Sequence, residues 1–431
     1  MTVKRNAAMG FIFVTILLDV IGFGLIIPVM PALIKSLTGG DITVAAKYGS
    51  WLSFSYAIMM FICSPIIGGL SDRFGRRPVL LLALLGLGLD YVFQAFSPTI
   101  TLLFVGRILA GCTGASFTTA SAYIADISSP EKRAQNFGMI GVAFGVGFII
   151  GPSIGGLFSS LGSKFAHSTG FDWSVRLPFL VAAGLSLINF FYGYFVLPES
   201  LLQENRRPFT WKRANPIGTL AHLTRYPIVA GLVVSIFLVQ LGAHAVQSNW
   251  SYYTIYKFNW DALAVGLSLS VVGLSVALVQ GGLIRVAIPY LGEKKAVFIG
   301  LAVYAAGMVG FAFATQGWMM YLILAFYCLG GICGPALQGI MSNQVPANEQ
   351  GELQGAFTSL MSITAIIGPL MMNNLFSAFT GKHALFEFPG MPFIAGAICL
   401  ALSAVFAIPS LRSYHNARME SELNSETAMS H

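Results

Sequence analysis

Twelve long apolar runs, separated by short polar connections, recur along the 431-residue chain. Their approximate limits are 9–35, 51–71, 78–97, 100–125, 135–160, 177–198, 227–250, 262–284, 293–314, 317–343, 355–378 and 390–409. About 20 apolar residues suffice for a helix to cross the hydrocarbon core of a bilayer. In that solvent only helices and closed barrels satisfy their backbone polar groups. The pattern predicts an all-α integral membrane protein with twelve transmembrane helices. The longest connection, 199–226, is rich in Arg, Pro and polar residues and divides the chain into six-helix halves at 1–198 and 227–412. The polar tail 413–431 carries no apolar period and is expected to be disordered.

Composition agrees. The chain is 56% hydrophobic and 10% charged, where soluble domains carry about 25% charged residues. The net charge of +7 is not a nucleic-acid signature, because the cations sit in connections between apolar runs. With both termini inside, sixteen of the 24 Lys and Arg fall in inner segments and six in outer ones. That asymmetry predicts cytoplasmic termini. The first run is too long for a cleavable signal peptide and contains Asp19. Cys63, Cys112, Cys328, Cys333 and Cys399 lie inside apolar runs without metal-ligand spacing and read as packing residues. No cofactor or metal is implied, and no Gly-x-x-x-x-Gly-Lys-Ser/Thr phosphate loop points to ATP.

The halves repeat. A shift of 217 residues sets Gly114 on Gly331, Asp126 on Asn343, Gly138 on Gly355, Gly151 on Gly368 and Pro152 on Pro369. Such a duplication predicts two pseudo-symmetric six-helix bundles that rock about a midplane substrate site.

The connection Gly69-Leu70-Ser71-Asp72-Arg73-Phe74-Gly75-Arg76-Arg77-Pro78 concentrates four charges between two spans. Gly69 and Gly75 permit a tight turn and close helix approach. Asp72 ends a helix, where the macrodipole disfavours an anion, so it calls for Arg76 or Arg73. Asp126 ends span 4 on the same face. Asp72, Arg76 and Asp126, with Arg73 and Arg77 beside them, are therefore candidates for a charge cluster that locks an inner gate.

A charge at mid-bilayer costs about 2.5–3.5 kcal/mol on insertion scales. Asp19, in Leu17-Leu18-Asp19-Val20, and Asp90, in Gly88-Leu89-Asp90-Tyr91, are candidate proton carriers; the bland alternative is a carboxyl capped by neighbouring hydroxyls. Arg107, in Gly106-Arg107-Ile108, stays charged and either pairs within the bundle or snorkels. Span 5 carries Gly147, Gly151, Pro152, Gly155 and Gly156 at helical spacing, a smooth face for another helix. At the end of span 7, Gln240, His244 and Gln247 share a face beside Trp250, as in a small-molecule cavity; Gln338 adds a polar group in span 10.

The loop string resembles the G-x-L-(S/A)-D-(R/K)-x-G-R-(R/K)-P connection of the major facilitator superfamily. The Gly-Pro and Gly-Gly of span 5 resemble the antiporter motif of its exporters. The likeness extends nearly end to end to the tetracycline–proton antiporter group. It is carried also by Leu17-Leu18-Asp19, Leu89-Asp90-Tyr91, Gly106–Gly114, Gly292-Glu293-Lys294-Lys295, Pro335-Ala336-Leu337-Gln338 and Gly368-Pro369. The resemblance implies transport roles for Asp19, Asp90, Asp72, Arg76 and Arg107. It implies the major facilitator fold in a bacterial inner membrane, as a monomer whose partners are lipid, protons and a small-molecule substrate. Aligned from the Gly292 string, Tyr304 stands where tetracycline antiporters carry a helix 9 aspartate. A tyrosine does not carry that proton at neutral pH, which bears on tetracycline as substrate and on stoichiometry.

The expected function is proton-coupled efflux of a small amphipathic or drug-like molecule by alternating access. The alternative is a proton symporter importing a small organic nutrient, an anion among the candidates, met by Arg107. A membrane enzyme would need clustered His and carboxylates, and the six His are dispersed. A signalling transceptor is disfavoured by the short tail.

Overall fold

The computed structural model describes residues 2–114, 116–128, 133–165, 172–201, 203–206, 227–344, 350–382 and 384–429. Among them, twelve helices are long and apolar enough to cross a membrane. They correspond one to one with the apolar runs.

In chain order the elements are α1 (Thr2–Ile26), α2 (Met30–Thr38), α3 (Ile42–Phe74), α4 (Arg76–Phe96), α5 (Ile100–Thr113), α6 (Ser116–Ile127), α7 (Arg133–Phe165) and α8 (Trp173–Val196). After the long connection come α9 (Pro227–Gln247), α10 (Trp250–Phe258), α11 (Ala262–Leu278), α12 (Ile284–Leu291), α13 (Glu293–Phe313), α14 (Gly317–Leu329), α15 (Cys333–Asn343), α16 (Gln350–Thr380) and α17 (Met391–Met429).

Side-chain caps decide several helix starts. The second span begins nine residues before its apolar run, because Asp41 accepts a hydrogen bond from the Val44 amide at 2.9 Å. Thr99 and Asp172 do the same for α5 and α8. The first span breaks at Ile27–Val29, around Pro28, into α1 and α2. Helix α17 continues through the polar tail to Met429. A sustained run without Gly or Pro after Pro409 leaves nothing in the chain to stop the helix.

The duplication is visible in local geometry. Span 4 is interrupted at Gly114, between α5 and α6, and span 10 at the 3₁₀ turn Gly330–Ile332, between α14 and α15. Pro152 lies inside α7 and Pro369 inside α16. The same 217-residue shift carries Gly75 onto Gly292. Each sits in a turn between consecutive spans with positive φ, +107° and +73°, and with ψ of 157° and 154°. A side chain is strained in that region.

Two compact units form. The first comprises Met1–Asn215, Ser248–Ala277 and Pro369–Pro389; the second comprises Pro216–Gln247, Leu278–Gly368 and Gly390–His431. The division thus differs from the expected boundary at the linker, because α10, α11 and the end of α16 group with the first six spans. In the first unit α1 packs on α7 and α8, α4 on α8, α3 on α5, and α10 on α3. In the second, α17 packs on α9 and α13, and α13 packs on α14 and α15. Chain passage between units coincides with imperfect helix: the turn between α9 and α10, the π-helical segment Val279–Leu283 and Gly368-Pro369.

The glycine face of span 5 explains much of the first unit. A Cβ on Gly147 would sit 2.6 Å from Val20, and one on Gly151 would sit 2.8 Å from the Ile21 carbonyl oxygen. On Gly155 it would collide with the Leu25 carbonyl. These three positions press α7 against α1. Gly156 turns the other way and would meet the Ala262 carbonyl at 2.6 Å. A Cβ on Gly266 of α11 would strike the Pro152 carbonyl, and Ser153 and Ser270 hydroxyls bond at 2.6 Å. The stripe is therefore a packing surface on two sides, which holds α11 in the first unit.

Gly155→Leu should cost about 1–3 kcal/mol or prevent insertion altogether. Gly145→Ala, where a Cβ meets nothing within 4 Å, should leave the thermal unfolding of the detergent-solubilised protein unchanged. Equal unfolding curves for the two variants would refute the packing role.

Candidate functional site

The junction of α3 and α4 gathers the predicted gate residues around one guanidinium. Helix α3 ends in Ser71, Asp72 and Arg73; Gly75 reverses the chain; Arg76 opens α4. Arg76 Nη1 contacts Asp72 Oδ1 at 2.5 Å and donates to Ser71 Oγ at 2.6 Å. Its Nε donates to Asp126 Oδ2 on α6 at 3.2 Å. Arg76 is 9% exposed, and the planar fork ties α3, α4 and α6 together. Arg77 Nη2 donates to the Tyr194 carbonyl of α8 at 2.7 Å. Arg73 is exposed over the Phe74 ring, 5.1 Å from its centre, and lies outside the cluster. Gly69 lies one turn from the end of α3.

Glu199, just after α8, was not singled out by sequence reasoning. Gly75, the residue before α4, has no side chain to cap it. Glu199 takes that role from 123 residues away: Oε1 accepts from the Arg76 amide at 2.8 Å and Oε2 from the Arg77 amide at 3.3 Å. Oε1 also accepts from the Ser200 and Leu201 amides, each at 3.1 Å. A carboxylate on exposed helix N–H groups is favoured by the macrodipole. Ser200 then donates to Asp126 at 3.0 Å, and the Tyr123 hydroxyl donates to the Pro198 carbonyl at 2.9 Å. A side chain on Gly75 would collide with the Glu199 carboxylate. The available signal was an acid directly behind an apolar run, on the face rich in cations.

The buried acids lie deeper in the first unit. Asp19 is 5% exposed on α1, with Asn189 Nδ2 of α8 at 3.5 Å from its Oδ1. Asp90 is 6% exposed on α4 and accepts a hydrogen bond from Gln94 Nε2. Its other oxygen has no hydrogen-bond partner and faces Gly106, whose Cβ would lie 3.1 Å away. Arg107, next along α5, acts electrostatically on Asp90. Its Nη2 lies 3.9 Å from the Met30 sulfur, and its guanidinium stands 6.0 Å from the Tyr56 ring centre. No carboxylate among the described residues reaches ion-pair distance of Arg107. The three predicted coupling residues therefore share one unit, with Asp90 and Arg107 adjacent.

The predicted cavity residues fare unequally. Gln240 and His244 are half-buried and Gln247 exposed on α9; His244 abuts Gly368 of α16 within the second unit. Tyr304 is half-buried on α13, 4.6 Å from the Tyr327 ring centre, against the Gly330 break. Gln338 is exposed on α15. Trp250 is 1% exposed, and its Nε1 donates to Ser268 Oγ of α11 at 2.9 Å, so the large ring is enclosed with its N–H satisfied.

Comparison with known proteins identifies the family. The model of the Major Facilitator Superfamily matches residues 12–369. Tetracycline resistance protein, class C, of Escherichia coli is 40% identical over 409 residues, 95% of this chain and 97% of that one. The class E protein of Escherichia coli is 39% identical over 86% of this chain and 89% of its own. Among solved structures, a bacterial homolog of the human lysosomal transporter Spinster superposes with a TM-score of 0.72 at 16% identity, covering 96% of this chain and 98% of that one. With its twelve apolar helices, the chain belongs to the Major Facilitator Superfamily and is an integral membrane transporter rather than an enzyme.

Proposed function

We propose that the protein exports a small amphipathic, drug-like molecule in exchange for protons, by alternating access. The observation that carries this reading is the burial of two carboxylates, Asp19 and Asp90, in apolar spans of one unit, with Arg107 beside Asp90. A buried carboxylate is costly when charged and cheap when neutral, so it binds and releases a proton as its surroundings change. The near full-length identity to tetracycline resistance proteins supports efflux. Tyr304 on α13, where tetracycline antiporters carry an aspartate, sets this chain apart from them at one coupling position. Gln240, His244, Gln247, Tyr304 and Gln338 supply polar groups for the substrate. The membrane is a bacterial inner membrane, with the α3–α4 junction and both termini on the cytoplasmic side, and the protein acts as a monomer.

Arg76, Asp72 and Asp126 form the lock of the inner gate in this mechanism. The cluster separates when that face opens and re-forms when it closes. Glu199 fixes the start of α4, so that Arg76 returns to the same place.

Two measurements test this reading. In inverted vesicles made acidic inside, a pH-sensitive dye should dequench when tetracycline or another compound of an amphipathic panel is added, and Asp19→Asn should abolish the response. Silence across the panel, with proton-linked uptake of an organic acid by right-side-out vesicles, would establish import instead. For the lock, Arg76→Lys should slow exchange on the order of tenfold, because one ammonium cannot reproduce the fork on Asp72, Ser71 and Asp126. Glu199→Ala should cost about 0.5–2 kcal/mol of stability through the lost cap and slow exchange as well. Wild-type rates in both variants would remove the lock from the mechanism.

A further inference from the structure

The inner face of α8 runs Val175, Phe179, Ala182, Ala183, Ser186, Asn189 and Gly193, all buried. Two polar residues on it, Ser186 and Asn189, are 1% and 0% exposed. A buried amide is costly unless its hydrogen bonds are made, and a leucine of similar volume would pack there without that cost. The retained amide therefore calls for a use.

Its surroundings indicate one. Asn189 Nδ2 lies 3.1 Å from the Thr15 carbonyl oxygen and 3.5 Å from Asp19 Oδ1. Both neighbours are acceptors, which orients the NH₂ group toward them, while Oδ1 makes no hydrogen bond. Thr15 and Asp19 are one turn apart on α1, and in an α-helix the Thr15 carbonyl already accepts the Asp19 amide. The carbonyl is thus satisfied without Asn189, whereas the carboxylate gains from each N–H aimed at it. The hydroxyls of Thr15 and Ser186, both without hydrogen-bond partners, extend the same buried polar strip.

We propose that Asn189 is a positioning residue for Asp19, holding its carboxylate at the α1–α8 contact and so setting the proton concentration at which exchange runs. This rests on the reading of Asp19 as a proton carrier. The other titratable groups within electrostatic reach are the phenols of Tyr91 on α4 and Tyr56 on α3, with Asp90 and Arg107 acting on both phenols in turn. An N–H donated to a carboxylate favours the charged form, so its removal favours the protonated one.

Infrared difference spectroscopy of the purified full chain, titrated with acid, tests this without any substrate. A protonated-carboxyl C=O band that disappears in Asp19→Asn identifies the group. In Asn189→Leu that band should lie at higher frequency, as for a carboxyl that has lost a hydrogen bond. Its titration midpoint should move up by about half to one pH unit, roughly three- to tenfold in proton affinity. The pH profile of exchange in proteoliposomes should move with it. Asn189→Ser, which keeps a shorter polar group, should give a smaller displacement in the same sense, and it carries the test if the leucine variant fails to insert. An Asp19 band whose frequency and midpoint are unchanged in the folded variant would overturn the role of Asn189 while leaving Asp19 as carrier. If Asp19→Asn removes no titrating band, the carrier reading falls, and this proposal falls with it.

Discussion

Inside a bilayer, charges and helix ends find partners in the chain or go without, since no water is there to take their place. The junction of α3 and α4, a connection between two spans, also draws its partners from the chain. A helix C-terminus bearing Asp72 and a helix N-terminus bearing Arg76 meet at a glycine that supplies no side chain. Two partners resolve the conflict. Arg76 neutralises Asp72 and reaches Asp126, while Glu199 covers the open amides of α4. The end of α8 is thereby fastened to the start of α4, and α6 to both. The Arg76 cluster and the buried acids further along α4 and α1 are held by one set of helices.

Much of this was legible in the sequence, for identifiable reasons. Twelve spans follow from hydrophobicity, and the Asp72–Arg76 contact follows from an anion at a helix C-terminus with cations a few residues on. Asp126 was reachable because span counting puts the end of span 4 on the same face. Glu199 and Asn189 were not found, because each acts across more than a hundred residues and no periodicity encodes which helix lies opposite. The partner of Trp250 was hidden for a related reason: Ser268 lies on the next helix, and no periodicity points to it. Low hydrophobicity in the tail argues against a packed core but not against a helix.

The two halves share geometry more closely than chemistry. Gly75 and Gly292 adopt similar backbone angles at equivalent places, yet the residue that follows is Arg76 in one half and Glu293 in the other. The turn was kept and the charge reversed, so an arginine does not open the helix after the second junction as it does after the first. Span 4 and span 10 likewise break at equivalent glycines, while the half-buried charge Arg107 in the first has no ionised counterpart at position 324, a leucine. Backbone shape is repeated and function is divided.

The contact of α7 with α1 has a genetic consequence. At Gly147 the main obstacle to a larger residue is Val20 Cγ1 and Cβ, at 2.6 and 2.7 Å, both of which a change of Val20 to glycine removes. At Gly155 the obstacle is the Leu25 carbonyl, part of the main chain, which no substitution on α1 removes. Suppressors of damage at the first position are thus available by a single change across the interface. At the second, reversion is the direct way back, so the neighbouring glycines of one helix stand under unequal evolutionary constraint.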